Sequence, residues 1–254
     1  MTEAEHNARR TRLAAITPDL ILSREVAIVG NSSSLRETEF GAEIDSFQDV
    51  LRFNGALTED FSAQVGSKTT VQIIGIDVAY LFNPKYVRPS KDPQINDERR
   101  KENARRICAF FPDTKILTFS PSDIERNAKN KQYATALYMQ EADPGREIHY
   151  FEEQGPGSSI AYYTANRDLE FLDLTSRLQC GGPRTGMKTV IRCLLSGIRP
   201  TLFGFDVDTS LEFARHYYDD ITNDKIAGSQ AHDLRGEMLV LQEMYENNLI
   251  DIRQ

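Results

Sequence analysis

The sequence predicts an α/β protein: a mostly parallel sheet with helices on both faces. Short apolar runs recur along the chain and stop at polar or glycine turns. Val26–Val29 ends at Gly30-Asn31, Asp49–Phe53 at Asn54-Gly55, and Val71–Gly75 just before Asp77. Such runs, lacking polar alternation, read as strands buried on both faces. Segments with helical periodicity lie between them, and that alternation defines the class. The 254 residues show no internal repeat and no long linker, so a single domain over 25–254 is expected behind an N-terminal helical extension, 1–24.

Each element follows from local chemistry. Residues 2–15 form a charged, alanine-containing helix that stops before Thr17-Pro18. Lys115–Phe119 is a further strand, and Ser120-Pro121 opens a helix. Gly155-Pro-Gly-Ser-Ser159 is a loop able to cap the next helix. After Cys180–Gly186, the residues Met187, Val190, Ile191, Leu194 and Leu195 mark one apolar stripe, with Thr185 as N-cap and Cys193 a small buried hydrophobe. Thr201–Phe205 is the next strand. Leu234, Met238, Leu241 and Tyr245 define the buried stripe of a last helix.

Composition narrows the function. A formal net charge of −8 argues against a general nucleic-acid binder. No apolar run approaches the roughly 18 residues that span a bilayer. The N-terminus has basic residues but no apolar segment behind them, so it is not read as a signal peptide. Cys108, Cys180 and Cys193 are odd in number and form no C-x-x-C pair, which points to a reducing, cytoplasmic setting. The charged segment from Lys85 to Arg106 reads first as a solvated helix and loop. Its second reading is a basic lip over an anionic or lipid-linked substrate, with peripheral contact to an inner membrane.

Four pieces sit where strands end or helices begin. The first runs from Val26 to Leu35 and on through Gly41–Asp45, Arg52-Phe-Asn54 and Val65-Gly-Ser-Lys-Thr-Thr70. The second is Gly182-Pro-Arg-Thr-Gly-Met187 with its helix and the strand to Gly204-Phe205. The third is His216-Tyr-Tyr-Asp219, and the fourth His232-Asp-Leu-Arg-Gly-Glu237. Together, and in this order, they resemble the long, small, III and very small sialylmotifs of the eukaryotic-type sialyltransferases. That family inverts the anomeric centre as it transfers sialic acid from CMP-sialic acid.

The resemblance implies a Rossmann-like, GT-A-like glycosyltransferase domain over 25–254. It implies that Gly30, Asn31, Ser32 and Asn54 bind the ribose and phosphate of CMP, and that Thr185 and Gly186 hold the nucleotide at a helix N-terminus. Phe205 would line the cytosine pocket, His216 would bind the phosphate with Tyr217 beside it, and His232 would be the general base. No cofactor or metal beyond the CMP-sugar donor is expected, and the other partner is a glycan or glycolipid acceptor. Chemistry supports these residue types: the departing phosphate gains a negative charge that imidazolium, hydroxyl and amide groups stabilise. Neutral histidine suits late removal of the acceptor proton. By helical phase His232 lies off the Leu234 stripe, in the first turn, where the helix dipole favours the neutral ring. Glu237, five residues on, does not share its face and stays outside the catalytic set. His6 and His149 have no companions in sequence.

Val26 and Gly197 stand where animal members carry a disulfide, consistent with a bacterial cytoplasmic enzyme that builds a surface polysaccharide or lipopolysaccharide. Arg184 replaces the family's serine and can bind a donor carboxylate or phosphate bidentately. Asp206 replaces a glycine. The alternatives are a CMP-Kdo transferase of the same fold, a metal-dependent transferase using Asp206-Val-Asp208 on a nucleotide diphosphate, and a nucleotide-binding regulatory module without turnover.

Overall fold

The computed structural model describes residues 20, 22–75, 78, 81–82, 93–119, 135–151, 183–205, 217 and 234–254. The strands among them are β1 (Val26–Val29), β2 (Asp49–Phe53), β3 (Val71–Ile73), β4 (Lys115–Phe119), β5 (Ile148–Phe151), β6 (Thr201–Phe203) and β7 (Asp251–Arg253). The α-helices are α1 (Gly41–Ser46), α2 (Ser62–Val65), α3 (Pro93–Phe110), α4 (Thr135–Ala142), α5 (Thr185–Leu195) and α6 (Leu234–Glu246). The chain forms two compact units, one from 1–21 with 69–153 and one from 22–68 with 154–254.

The second unit carries the strand ends singled out by the sequence pattern. Its strands run β2-β1-β6-β7. All pairings are parallel, with Ile28 opposite Leu51 on one side and Leu202 on the other. Val26, Ala27, Ile28 and Val29 are each at most 1% exposed. That burial on both faces is why the run has no polar alternation. Phe203 anchors one face, where Phe40 and Phe47 meet its ring edge-on at 5.5 and 5.9 Å.

In the unit that holds 69–153, β3, β4 and β5 are parallel, in the order β3-β4-β5. Helix α3 buries Ala104 and Ile107 together with Asn96, Arg100 and Asn103. Asn103 Nδ2 donates to Val78 O and Leu81 O, both at 2.9 Å, tying the turn after β3 to the helix. On its outer side Lys101 pairs with Asp97 at 2.7 Å, and the Arg106 guanidinium lies 4.5 Å from the Phe82 ring centre. Lys85, Arg88 and Lys91 of the basic segment lie outside the described residues. His149 does have a companion: its buried ring meets Glu147 Oε1 at 2.7 Å.

Several expectations need correction. Strands β5 and β7 were not anticipated, since Asp251-Ile-Arg253 offers one apolar residue to a sheet edge. Strand β3 stops at Ile73 and β6 at Phe203. Arg184, not Thr185, is the N-cap of α5, with extended backbone at φ −63°, ψ 163°. Cys193 is fully buried in α5, whereas Leu194 is half-buried. In α6 the buried residues are Glu237, Val240, Leu241 and Met244, while Tyr245 is 49% exposed. A second apolar set offset by about one residue was available, and the sheet selected it over the Met238–Tyr245 phase.

The stretch from Gly41 to Lys68 folds as a clamp. The Asp45 carboxylate accepts hydrogen bonds from Ser67 N, Ser67 Oγ and Lys68 N at 2.9–3.0 Å. Gly66 adopts φ +72°, and a Cβ there would lie 2.3 Å from Asp45 Oδ1. The fully buried Arg52 donates to the carbonyls of Val65 and Lys68. Burial raises the Asp45 carboxyl, but the Ser67 and Lys68 donors and the Arg52 charge outweigh it and bring it below its ordinary value. Its stabilisation is therefore present above the unfolded carboxylate range near pH ~4 and is lost as pH falls through the folded value. Urea melts of Asp45→Ala against wild type will show a gap of about 1–3 kcal/mol at neutral pH that closes in acid. A gap independent of pH would assign the loss to packing instead.

Candidate functional site

Parallel strands β2, β1 and β6 end on the same edge, and the residues leaving them converge. Gly30 N donates to Phe203 O at 2.7 Å. A Cβ on Gly30 would sit 2.3 Å from Gly204 O and 3.1 Å from the Phe205 ring, so only glycine permits this backbone approach. Gly204 itself holds φ +65° against Leu35. The Phe205 ring extends to helix α5, where a Cβ on Gly186 would meet its edge at 3.0 Å. Its other neighbour is Phe53, ring centres 6.4 Å apart. Asn54 follows Phe53 in the left-handed region at φ 55°, a conformation asparagine tolerates better than most residues. Gly30, Gly186 and Phe205 are thus close together, with Asn54 following Phe53 in the chain.

Asn31 and Ser32 continue from Gly30. Ser32 Oγ caps the short 3-10 helix Ser33–Glu37 by accepting from Ser34 N at 3.1 Å. The same oxygen also accepts from Ser34 Oγ at 2.9 Å. Tyr217 lies beneath this loop, 1% exposed, with its backbone N–H donated to Asn31 O and its carbonyl accepting from Arg36 Nε at 2.6 Å. Its hydroxyl is donated to Leu57 O at 2.9 Å, and its ring packs edge-on against Phe61 at 5.3 Å. The residue's structural place is as an anchor under Asn31. Burial pushes its phenol up to about 12, against the pull of the neighbouring Arg52 charge.

Helix α5 brings its N-terminus to the Phe205 ring through Gly186. Thr185 occupies the first helical position, its carbonyl accepting from Thr189 Oγ1 at 2.8 Å. Arg184 is held by Glu237 of α6: Glu237 Oε1 accepts the Arg184 backbone N–H and Oε2 accepts Nε–H, both at 2.6 Å. The Glu237 side chain is 2% exposed and that of Arg184 is 42% exposed. Sequence reasoning set Glu237 aside. A signal was present, because Glu237 shares a helical face with Val240, Leu241 and Met244, and a carboxylate on a core face requires a cationic partner. His216, His232, Asp206 and Asp208 lie outside the described residues.

A parallel sheet interleaved with helices, its strand ends meeting a helix N-terminus, defines the chain as an α/β protein. Residues 19–249 match the model of Glycosyltransferase family 29 (sialyltransferase), and the chain belongs to that family. It is 55% identical over 51 residues to CMP-N-acetylneuraminate-beta-galactosamide-alpha-2,3-sialyltransferase 1 of Sus scrofa, a match spanning 20% of this chain and 15% of that relative. It is 46% identical over 48 residues to beta-galactoside alpha-2,6-sialyltransferase 1 of Mus musculus, covering 19% of this chain and 12% of that one. The crystal structure of a mammalian sialyltransferase in complex with Gal-beta-1-3GalNAc-ortho-nitrophenol superposes with TM-score 0.58 at 21% identity. That superposition covers 97% of this chain and 78% of the other, and it shows the shared fold.

Replacing Gly30 by alanine forces backbone apart from backbone. We expect loss of at least about 3 kcal/mol or failure to fold, read by chemical denaturation. Tyr217→Phe should cost only about 1 kcal/mol at neutral pH. Because the folded phenol is raised, its stabilisation is present below pH ~10 and is lost as pH rises toward the folded value. Between those limits wild type should lose stability that Tyr217→Phe keeps. Parallel alkaline curves for the two proteins would contradict the buried-phenol assignment.

Proposed function

We propose that this protein is an inverting glycosyltransferase that moves sialic acid, or a related nonulosonic acid, from a CMP-activated donor to a glycan hydroxyl. The observation that carries the reading is the convergence of Gly30-Asn31, Asn54, Phe205 and the N-terminus of α5 in a chain of the sialyltransferase family. In the proposed site Asn31 and Asn54 contact ribose and phosphate, Phe205 flanks the cytosine, and the α5 amides with Arg184 face the phosphate. Tyr217 fixes the loop on which Asn31 rides, and His216 is its immediate neighbour in sequence. That adjacency supports a phosphate role for the His216 imidazolium.

Transfer requires the anomeric C–O bond to the phosphate to break, with its electron pair leaving on CMP. A new bond forms from the acceptor oxygen on the opposite face, and the acceptor proton passes to His232. The phosphate goes from one negative charge to two, so the donors aimed at it act most strongly in the transition state. A monophosphate leaving group needs less charge neutralisation than a diphosphate, and this is the basis for reading the transfer as metal-independent.

The test is CMP release from CMP-sialic acid and from CMP-Kdo, each with and without EDTA. Turnover of CMP-sialic acid in EDTA is expected, with His232→Ala slower by roughly 10²–10⁴-fold. Preference for CMP-Kdo would reassign the donor. Abolition by EDTA would favour the Asp206-Val-Asp208 reading, and unchanged turnover in His232→Ala would remove that residue from its role. For His216→Ala, both donor affinity and rate should fall while thermal stability is kept.

A further inference from the structure

We infer that Glu237 is a positioning residue of the donor site, acting through Arg184. The inference rests on the CMP-donor reading above and deepens it. Glu237 sits in the first turn of α6 with a buried carboxylate, and both oxygens are used on one partner. One oxygen holds the backbone of Arg184 at the residue that starts α5, and the other holds Nε of the same side chain. This two-point grip fixes where α5 begins and the plane in which the guanidinium lies.

With Nε–H committed, the Nη1 and Nη2 amino groups have no acceptor among the described residues. Arg184 is 42% exposed in its side chain, and Gly186, two residues on, abuts the Phe205 ring. The outer edge of the guanidinium is therefore a planar pair of donors standing beside the proposed nucleotide pocket. That geometry matches two oxygens of one phosphate or carboxylate. A guanidinium on a long, half-exposed side chain is otherwise a loose ligand, since ordering it on binding costs rotamer entropy. Glu237 imposes that order before the donor arrives. Its own negative charge would oppose an anion, so its contribution is favourable only through Arg184, and the two residues should act as one unit.

The experiment is a double-mutant cycle on the full chain, measuring binding of CMP and of cytidine by calorimetry. The four proteins are wild type, Glu237→Gln, Arg184→Gln and the double variant. In Glu237→Gln the new amide is isosteric with the carboxylate and its oxygen still accepts the backbone N–H of Arg184, so folding is retained and is checked by thermal melting. Wild type should bind CMP. Glu237→Gln and Arg184→Gln should each weaken CMP about 5- to 20-fold, and the double variant should be no weaker than Arg184→Gln alone. Cytidine, lacking the phosphate, should bind all four alike. If Glu237→Gln binds CMP within about twofold of wild type, or if the two losses multiply in the double variant, the inference fails while the nucleotide reading stands. Equal losses for cytidine and CMP would make Glu237 a purely structural residue and would also overturn it. Wild type that binds neither ligand would remove the CMP reading and the inference with it.

Discussion

The missing Cβ of Gly30 governs the geometry around it. Strands β1 and β6 run side by side, and beyond their last ladder hydrogen bond the two chains remain pressed together. A methyl group there would lie 2.3 Å from the backbone carbonyl oxygen of Gly204. That approach directs Phe205 across the strand ends toward Gly186, and a second glycine is needed where the ring meets helix α5. Glycine thus serves the site by letting backbones and an aromatic face come close. The proposed ligand contacts depend on that compactness.

Around this contact the long motif divides into two parts with different physics. Its first stretch, Gly30 to Ser32, and Asn54 lie at the strand ends. Its middle and end, Gly41, Asp45, Arg52 and Gly66 to Lys68, form a polar clamp, buried at Arg52 and exposed at Ser67, that holds α1, β2 and α2 together. A fully buried arginine that donates to the carbonyls of Val65 and Lys68 is expensive to replace, because those carbonyls would lose their donor. Residue types that look catalytic in a sequence, a lysine, an arginine and an aspartate close together, here hold the scaffold. Arg184 and Glu237 are the reverse case: a pair that looks incidental in sequence joins the N-terminal ends of two helices.

How legible the chain was follows from burial. Strands β1, β2 and β4 have the bounds expected of them, since apolar runs flanked by turn residues leave few alternatives. Strand β7 was invisible: a strand that lies outermost among the described residues, beside β6, needs little apolar content, and Asp251-Ile-Arg253 supplies little. The phase of α6 was misread because Met238, Leu241 and Tyr245 compete with Val240, Leu241 and Met244 at nearly the same spacing. The buried phase also carries Glu237, whose partner Arg184 lies 53 residues away.

By itself, then, the sequence determined the α/β class, the bounds of several buried strands, and the family through four ordered motifs. These depend on short-range patterns, in which neighbours within a few residues carry the information. Tertiary structure alone decided which polar residues are tied into the scaffold and by which partners. It placed Tyr217 as an anchor beneath Asn31, made Arg184 the cap of α5, and gave Glu237 its cation. Each of those outcomes turns on a contact between distant segments, and a buried charge or hydroxyl takes its role from the partner that the fold brings to it.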